Sequence, residues 1–416
     1  MTIHDFLEKE KLKLAWHLLP AARQAAIQPM LDAAHEQLKA FANSGEATHR
    51  PGVAHQLLLT MSALHNDRDG LLAALPQPQD IGIQVGPDGA IWGTGKYQQL
   101  DAGWVESAVI WIENLILGKH PFPAGQPAIL PMADQVTIAM AGDWGTGNFG
   151  SGTAPAIKIK NLIPNSNPDY TIHLGDVYYA GTKDQETNFL VDLWPSGSAG
   201  AFTLNSNHEM YSGAKPYFNQ AVASPLFRLQ SPYSFFALEN SNWIVVGLDT
   251  AYFADEDKAY LDGSIGTGEQ VSFLRQVANR GKKVIVLTHH NGLAEDGSAP
   301  TALWNEVMGA FPAGSAPAYW YWGHVHAGIV YVPQANGTLC RCSGHGALPW
   351  GFASELEHNA NVQWFETRNA GDPEDPLRVL NGFTVLQLDG ASLTETFYDE
   401  NGGVAWAPAR QAVTGG

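Results

Sequence analysis

Five short segments of the chain carry residues able to hold hard or borderline metal ions, and each stands at the end of an apolar, strand-like run. They are Gly142-Asp143-Trp144-Gly145, Gly175-Asp176-Val177-Tyr178-Tyr179, Ser206-Asn207-His208-Glu209, Val286-Leu287-Thr288-His289 with His290 next, and Gly323-His324-Val325-His326. This mixture of carboxylate, carboxamide and imidazole donors suits Zn, Fe or Mn rather than ions that seek thiolates. In open α/β sheets, ligand sites lie beyond the carboxyl ends of the strands, so five such ends can converge on one place. A carboxylate can span two cations roughly 3.5–4 Å apart, whereas an imidazole serves only one. His324 and His326, two residues apart on an extended strand, share a face, and Gly323 before them lets the backbone approach closely. Any one of these residues alone reads as a turn or core group. Their occurrence together and in order points to a metal site.

The elements that must position them alternate short β runs with helices. Residues 136–141, 170–174, 201–204, 244–248, 284–288 and 319–322 read as buried strands, several running straight into the polar segments above. A helix is expected over 268–279, with Val271, Leu274 and Val277 on one face. Later runs at 329–332, 383–388 and 392–398 lack helical partners and suggest antiparallel additions.

Residues 1–130 read differently. Thr2-x-x-Asp5 resembles a capping box ahead of a helix that runs to Pro20. In the helix that follows, Ile27, Met30, Leu31, Ala34, Leu38 and Phe41 form one stripe. Residues 84–92 read as a hairpin around Pro87-Asp88-Gly89, and Trp104, Ala108, Trp111 and Leu115 mark another amphipathic helix. Four prolines between Pro121 and Pro131 mark a boundary, giving a mostly helical N-terminal domain (1–130) and a catalytic domain (131–416). The first is either a cap that shapes substrate access or a module for packing and oligomerisation, and the oligomeric state stays open.

Composition narrows the function classes. The 416 residues carry 23 Lys+Arg against 41 Asp+Glu, a formal charge of −18, so a surface for phosphate backbones is not expected and nucleic acid is not an expected partner. No run approaches the roughly 20 apolar residues of a membrane span and no signal peptide is visible, which together point to the cytoplasm and away from a membrane partner. Cys340 and Cys342, the only cysteines, read as small core-filling thiols rather than a disulfide. A serine-nucleophile esterase is set aside because no G-x-S-x-G elbow stands between strand and helix.

Taken together, the five segments resemble the motif set of the calcineurin-like metallophosphoesterases, in the purple acid phosphatase form GDxG, GDxxY, GNH[DE], VxxH and GHxH. Over residues 134–400 the resemblance implies an α/β fold of four layers, αββα, with two mixed sheets face to face and helices outside. It implies that Asp143, Asp176, Tyr179 and His326 hold one metal. Asp176 would bridge to a second, held by Asn207, His289 and His324. The motif spacing selects Tyr179 over its neighbour Tyr178, and a phenolate there implies Fe(III) paired with Fe(II), Zn or Mn. The implied activity is hydrolysis of a small phosphate ester, most simply a monoester. His208 would supply the leaving-group proton, Glu209 would orient it, and His290 is a weaker candidate for substrate contact. Ser206 stands where the family usually has Gly, and Asn291 where many relatives have Pro. Two other readings are carried: a Zn or Mn phosphodiesterase or nucleotide hydrolase of the same superfamily, and a non-catalytic binding or scaffold protein with the same fold.

Overall fold

The computed structural model describes residues 3–44, 56–65 and 83–408; Thr2, the capping residue of the proposed Thr2/Asp5 box, lies outside the residues so described. Helices α1 (Ile3–Leu18), α2 (Ala21–Ser44) and α3 (Gln56–His65) open the chain. Pro20 separates the first two, because it can supply no amide hydrogen to a continuing helix. The expected stripe of α2 is buried, with Ile27, Leu31, Ala34, Leu38 and Phe41 inaccessible and Met30 at its edge. The hairpin forms as β1 (Gln84–Val85) and β2 (Ile91–Trp92), closed by Gly86 N–H to Ala90 O at 2.8 Å. Helix α4 (Trp104–Leu117) buries Trp104, Ala108, Trp111 and Leu115.

Two mixed sheets follow. The first joins β4 (Gln135–Ala141), β5 (Tyr170–His173) and β6 (Gly200–Thr203) in parallel, then adds β14 (Gly382–Asp389), β15 (Ser392–Asp399) and β16 (Val404–Trp406) antiparallel on the β4 side. The second contains β3 (Ile129–Pro131), β7 (Phe236–Glu239), β8 (Trp243–Gly247), β9 (Lys283–Leu287), β10 (Tyr319–Trp322), β11 (Gly328–Tyr331), β12 (Leu339–Ser343) and β13 (Val362–Phe365). Its spatial order is β13-β11-β12-β10-β9-β8-β7-β3. Strands β8, β9, β10 and β12 run parallel. Between the sheets, Ile138, Met140, Ile172 and Leu386 of one face Val245, Ile285, Leu287 and Tyr321 of the other. Helices Glu269–Ala278 and Ala302–Met308 cover the outside of the larger sheet, and Pro155–Leu162 the outside of the smaller. These are the four expected layers.

One buried ion pair ties the sheets. Arg341 on β12 reaches Glu395 on β15 (Nη2 to Oε1, 2.7 Å), and the Tyr321 hydroxyl donates to Glu395 Oε2 at 2.6 Å. Cys340 and Cys342, on the opposite face from Arg341, are free thiols in one core cluster, and burial raises both above their ordinary range. The proline-rich stretch ends in β3, which pairs with β7. The core runs on across residue 130, for Leu31, Trp104 and Trp111 share a cluster with Trp144, Tyr178 and Met210. Arg23 of α2 adds ion pairs to Glu256 and Asp257.

Candidate metal centre

Strands β4, β5 and β6 of one sheet and β9 and β10 of the other all end at the same place. The turn after each carries one of the five segments, and the turns are bonded to one another. Asp143 N–H donates to Gly175 O at 3.0 Å, Gly323 N–H to His289 O at 3.0 Å, and Gly142 N–H to Ser343 O at 2.8 Å. Asp143, Asp176, His324 and His326 all adopt positive φ, between 57° and 77°. L-residues rarely occupy that region, so each turn is held by its neighbours in a conformation that aims the side chain at the centre. Glycine allows the crowding: a Cβ on Gly323 would fall 2.7 Å from Asp143 Oδ2, and one on Gly175 2.7 Å from His289 Nδ1.

The side chains fall into two overlapping groups. In the first, His326 Nε2 lies 3.4 Å from Asp143 Oδ1 and 3.9 Å from Asp176 Oδ2. In the second, His289 Nε2 lies 2.9 Å from Asn207 Oδ1 and 3.3 Å from Asp176 Oδ1, with the His324 ring 5.1 Å from that of His289. Asp176 therefore faces both, one oxygen to each. Asp143, Asp176 and His289 each bring a donor atom within 4.8 Å of the others.

The second group lacks a proton that would explain it. His289 Nδ1–H donates to the Leu174 carbonyl at 2.9 Å, which leaves Nε2 as a lone pair, and burial lowers the ring's proton affinity further. That lone pair points at the carbonyl oxygen of Asn207 and the carboxylate of Asp176. A cation would satisfy the acceptors that converge in this buried space, so the residues fit a metal ion. The carboxylates agree. Burial and the charge of Asp176 push Asp143 well above the usual carboxylate range.

The tyrosines depart from expectation. Tyr178 Oη lies 2.8 Å from Asp176 Oδ2, 3.5 Å from Asp143 Oδ1 and 3.4 Å from His326 Nε2. Tyr179 points elsewhere: its hydroxyl is bonded to Asp101, with Lys96 Nζ at 3.3 Å. The turn after Asp176 presents the second residue rather than the third to the cluster. Motif spacing favoured Tyr179, and the paired Tyr-Tyr was the one signal that its neighbour could take the place.

Two expected roles are corrected as well. Glu209 does not orient His208, because its carboxyl is engaged with the Ser206 hydroxyl; His208 Nδ1–H donates instead to the Tyr179 carbonyl at 2.7 Å. The other ring nitrogen of His208 faces Asp176 Oδ2 at 3.8 Å, and burial lowers the ring to about 4. His290 brings a ring nitrogen within 4.8 Å of donors on His289 and His324. Both its nitrogens are already engaged, however: Nε2–H donates to Tyr260 O at 2.8 Å and Nδ1 accepts from the Thr250 hydroxyl at 2.9 Å. With both nitrogens so engaged, neither is left to meet a substrate in this arrangement. Ser206 has φ −135°, a value any residue adopts, so replacing Gly costs nothing in the backbone. Its hydroxyl also lies 2.5 Å from Asp176 Oδ1.

Comparison with known proteins follows this geometry. Residues 136–328 match the family model described as calcineurin-like phosphoesterase, which supports that superfamily. The match spans all of the metal-facing residues named above. Among solved structures, the anchor protein of the inner membrane complex of Plasmodium is 15% identical over 66% of this chain and 87% of its own, with a TM-score of 0.46. A predicted phosphoesterase of Streptococcus pneumoniae is 10% identical over 66% and 94%, with a TM-score of 0.27. The phosphopantetheinyl hydrolase of Mycobacterium tuberculosis is 12% identical over 58% and 99%, with a TM-score of 0.28. No curated protein matches the chain. Among the described residues no helix is long and apolar enough to cross a membrane.

Proposed function

We propose that this protein hydrolyses a small phosphate ester at a two-metal centre. One metal would be held by Asp143, Asp176, Tyr178 and His326, the other by Asp176, Asn207, His289 and His324. The observation that carries the reading is His289 Nε2, whose lone pair faces Asn207 Oδ1 and Asp176 Oδ1 in a buried space. A cation pair bound there would acidify a water to serve as nucleophile and neutralise charge on the phosphoryl oxygens.

The chain's own residues do the rest. Asp176, with one oxygen toward each group, sets the separation of the two positions. His208 stands beside Asp176 with its direction fixed by the Tyr179 carbonyl, placed to hand a proton to the leaving oxygen. Burial lowers the proton affinity of its ring, and an arriving phosphate dianion would favour the charged form. Trp104, 5.8 Å from the His208 ring, and Tyr178, 4.5 Å from it, wall that side with apolar surface.

A phenol in the first group favours Fe(III) at that position, with Fe(II), Zn or Mn beside it, which is the purple acid phosphatase-like form of the reading. Elemental analysis with a visible spectrum, on protein assayed with aryl phosphate mono- and diesters, tests it. Two metals per chain including iron, a charge-transfer band and monoesterase activity are expected. Two colourless metals with diesterase activity would replace this form by the Zn or Mn diesterase.

A further inference from the structure

The N-terminal segment holds Tyr179 most closely, and its Trp104 and Tyr97 also lie beside Tyr178, with Trp104 beside His208 as well. The Tyr179 hydroxyl is bonded to Asp101. Its ring meets Trp104 edge-on, centroids 4.8 Å apart at 90°, and Tyr97 at 4.8 Å. The Gly103 backbone lies so close that a Cβ there would fall 2.3 Å from Tyr179 Cζ. At the other end of the residue, the Tyr179 carbonyl accepts from Ser107 Oγ at 2.8 Å and from His208 Nδ1 at 2.7 Å. Asp101 itself is fixed by Tyr97 N–H at 2.7 Å and Gly103 N–H at 2.9 Å. Tyr179 is thus gripped at hydroxyl, ring and carbonyl by residues outside the phosphoesterase-like domain, and the gripped carbonyl is the one that directs His208.

We propose that Asp101 and Ser107 are positioning residues for His208, acting through Tyr179 and its carbonyl, so that the N-terminal segment is a working part of the site rather than an appended module. This inference rests on His208 being the donor to the leaving oxygen. A donor that tilts away from that oxygen loses rate in proportion to how much the leaving group needs the proton. An alkoxide needs it in the transition state, and a nitrophenolate hardly does.

The test compares kcat and KM for an alkyl phosphate and for p-nitrophenyl phosphate, using metal-loaded full-length protein and its Ser107→Ala, Ser107→Thr, Tyr179→Phe and His208→Ala variants. Ser107→Ala is expected to lower kcat on the alkyl ester by about tenfold or more while changing the nitrophenyl ester by less than about twofold. KM and metal content should stay unchanged, and Ser107→Thr, which keeps the hydroxyl, should restore the rate. Tyr179→Phe, freed from Asp101 but with its carbonyl intact, should show a weaker version of the same split. His208→Ala should show a stronger one. Equal losses on both esters in Ser107→Ala, a change in its metal content, or no loss on either would overturn the inference. If His208→Ala itself shows no dependence on the leaving group, the role of His208 fails first and is recognised as the cause.

Discussion

The Tyr178 hydroxyl lies 2.8 Å from Asp176 Oδ2, while the hydroxyl of the next residue, Tyr179, is spent on Asp101. Adjacent tyrosines thereby take separate parts, one facing the Asp143–Asp176–His326 cluster and one facing the N-terminal segment. Tyr178→Phe should lower metal affinity at the first position by at least about tenfold, the range seen for groups around a metal, and abolish any visible charge-transfer band. Tyr179→Phe should retain metals and colour. Equilibrium dialysis with spectra of both variants checks this, and loss of the band in Tyr179→Phe alone would reverse the assignment.

In the proposed centre Asn207 and His289 would hold one metal only. His289→Ala should therefore leave about one metal per chain and reduce kcat by roughly 10³ or more, as expected when one partner of a two-metal clamp is lost. Elemental analysis of the purified variant reads the stoichiometry directly. Retention of two tightly held metals would remove His289 from the centre.

Between the sheets, Glu395 is the partner of a fully buried guanidinium, that of Arg341, which also lies over the rings of Trp406 and Tyr319. Truncating Glu395 to Ala leaves that charge unpaired, at a cost of about 3–5 kcal/mol. Replacing both residues by apolar ones of similar volume should restore most of the stability. Urea denaturation of the single and double variants measures the difference, and a single variant within about 1 kcal/mol of the parent would show the pair to be solvated.

Asp375 links a late loop to the N-terminal segment by accepting from Gln98 Nε2 at 2.5 Å, and burial raises its carboxyl from 3.8 to about 6. The folded state then holds the proton more tightly than the unfolded state. Stability from this group is present below pH about 4 and is lost as pH rises to about 6, by up to roughly 3 kcal/mol. Asp375→Asn should flatten that part of the stability profile and raise the melting temperature at pH 7. An unchanged profile would mean that the carboxyl ionises freely in the folded protein.

Much of the site was legible because its chemistry is written in contiguous pieces. Asp143, Asp176, Asn207, His289, His324 and His326 each sit in a short segment at a strand end, and strand ends converge by rule. The buried stripe of α2 and the β1–β2 hairpin were equally readable, since periodicity and turn residues are local signals. Tyr178 was not, because a tight turn decides which of two neighbours faces inward and the decision lies in tertiary packing. Nor was the Tyr179–Asp101 contact, which joins residues 78 apart with no shared pattern. The orienting partner of His208 was missed for a related reason: it is a backbone carbonyl, which no side chain advertises. The Arg341–Glu395 pair showed in sequence only as charges within apolar strands.

Whether a pair of metals serves phosphate-ester hydrolysis is read by counting metals per chain in purified protein while following hydrolysis of p-nitrophenyl phosphate before and after chelation. Two metals per chain are expected, with activity lost on chelation and restored on adding metal back. Protein that binds no metal and cleaves no phosphate ester after metal is supplied would contradict the account and favour a binding role for the fold.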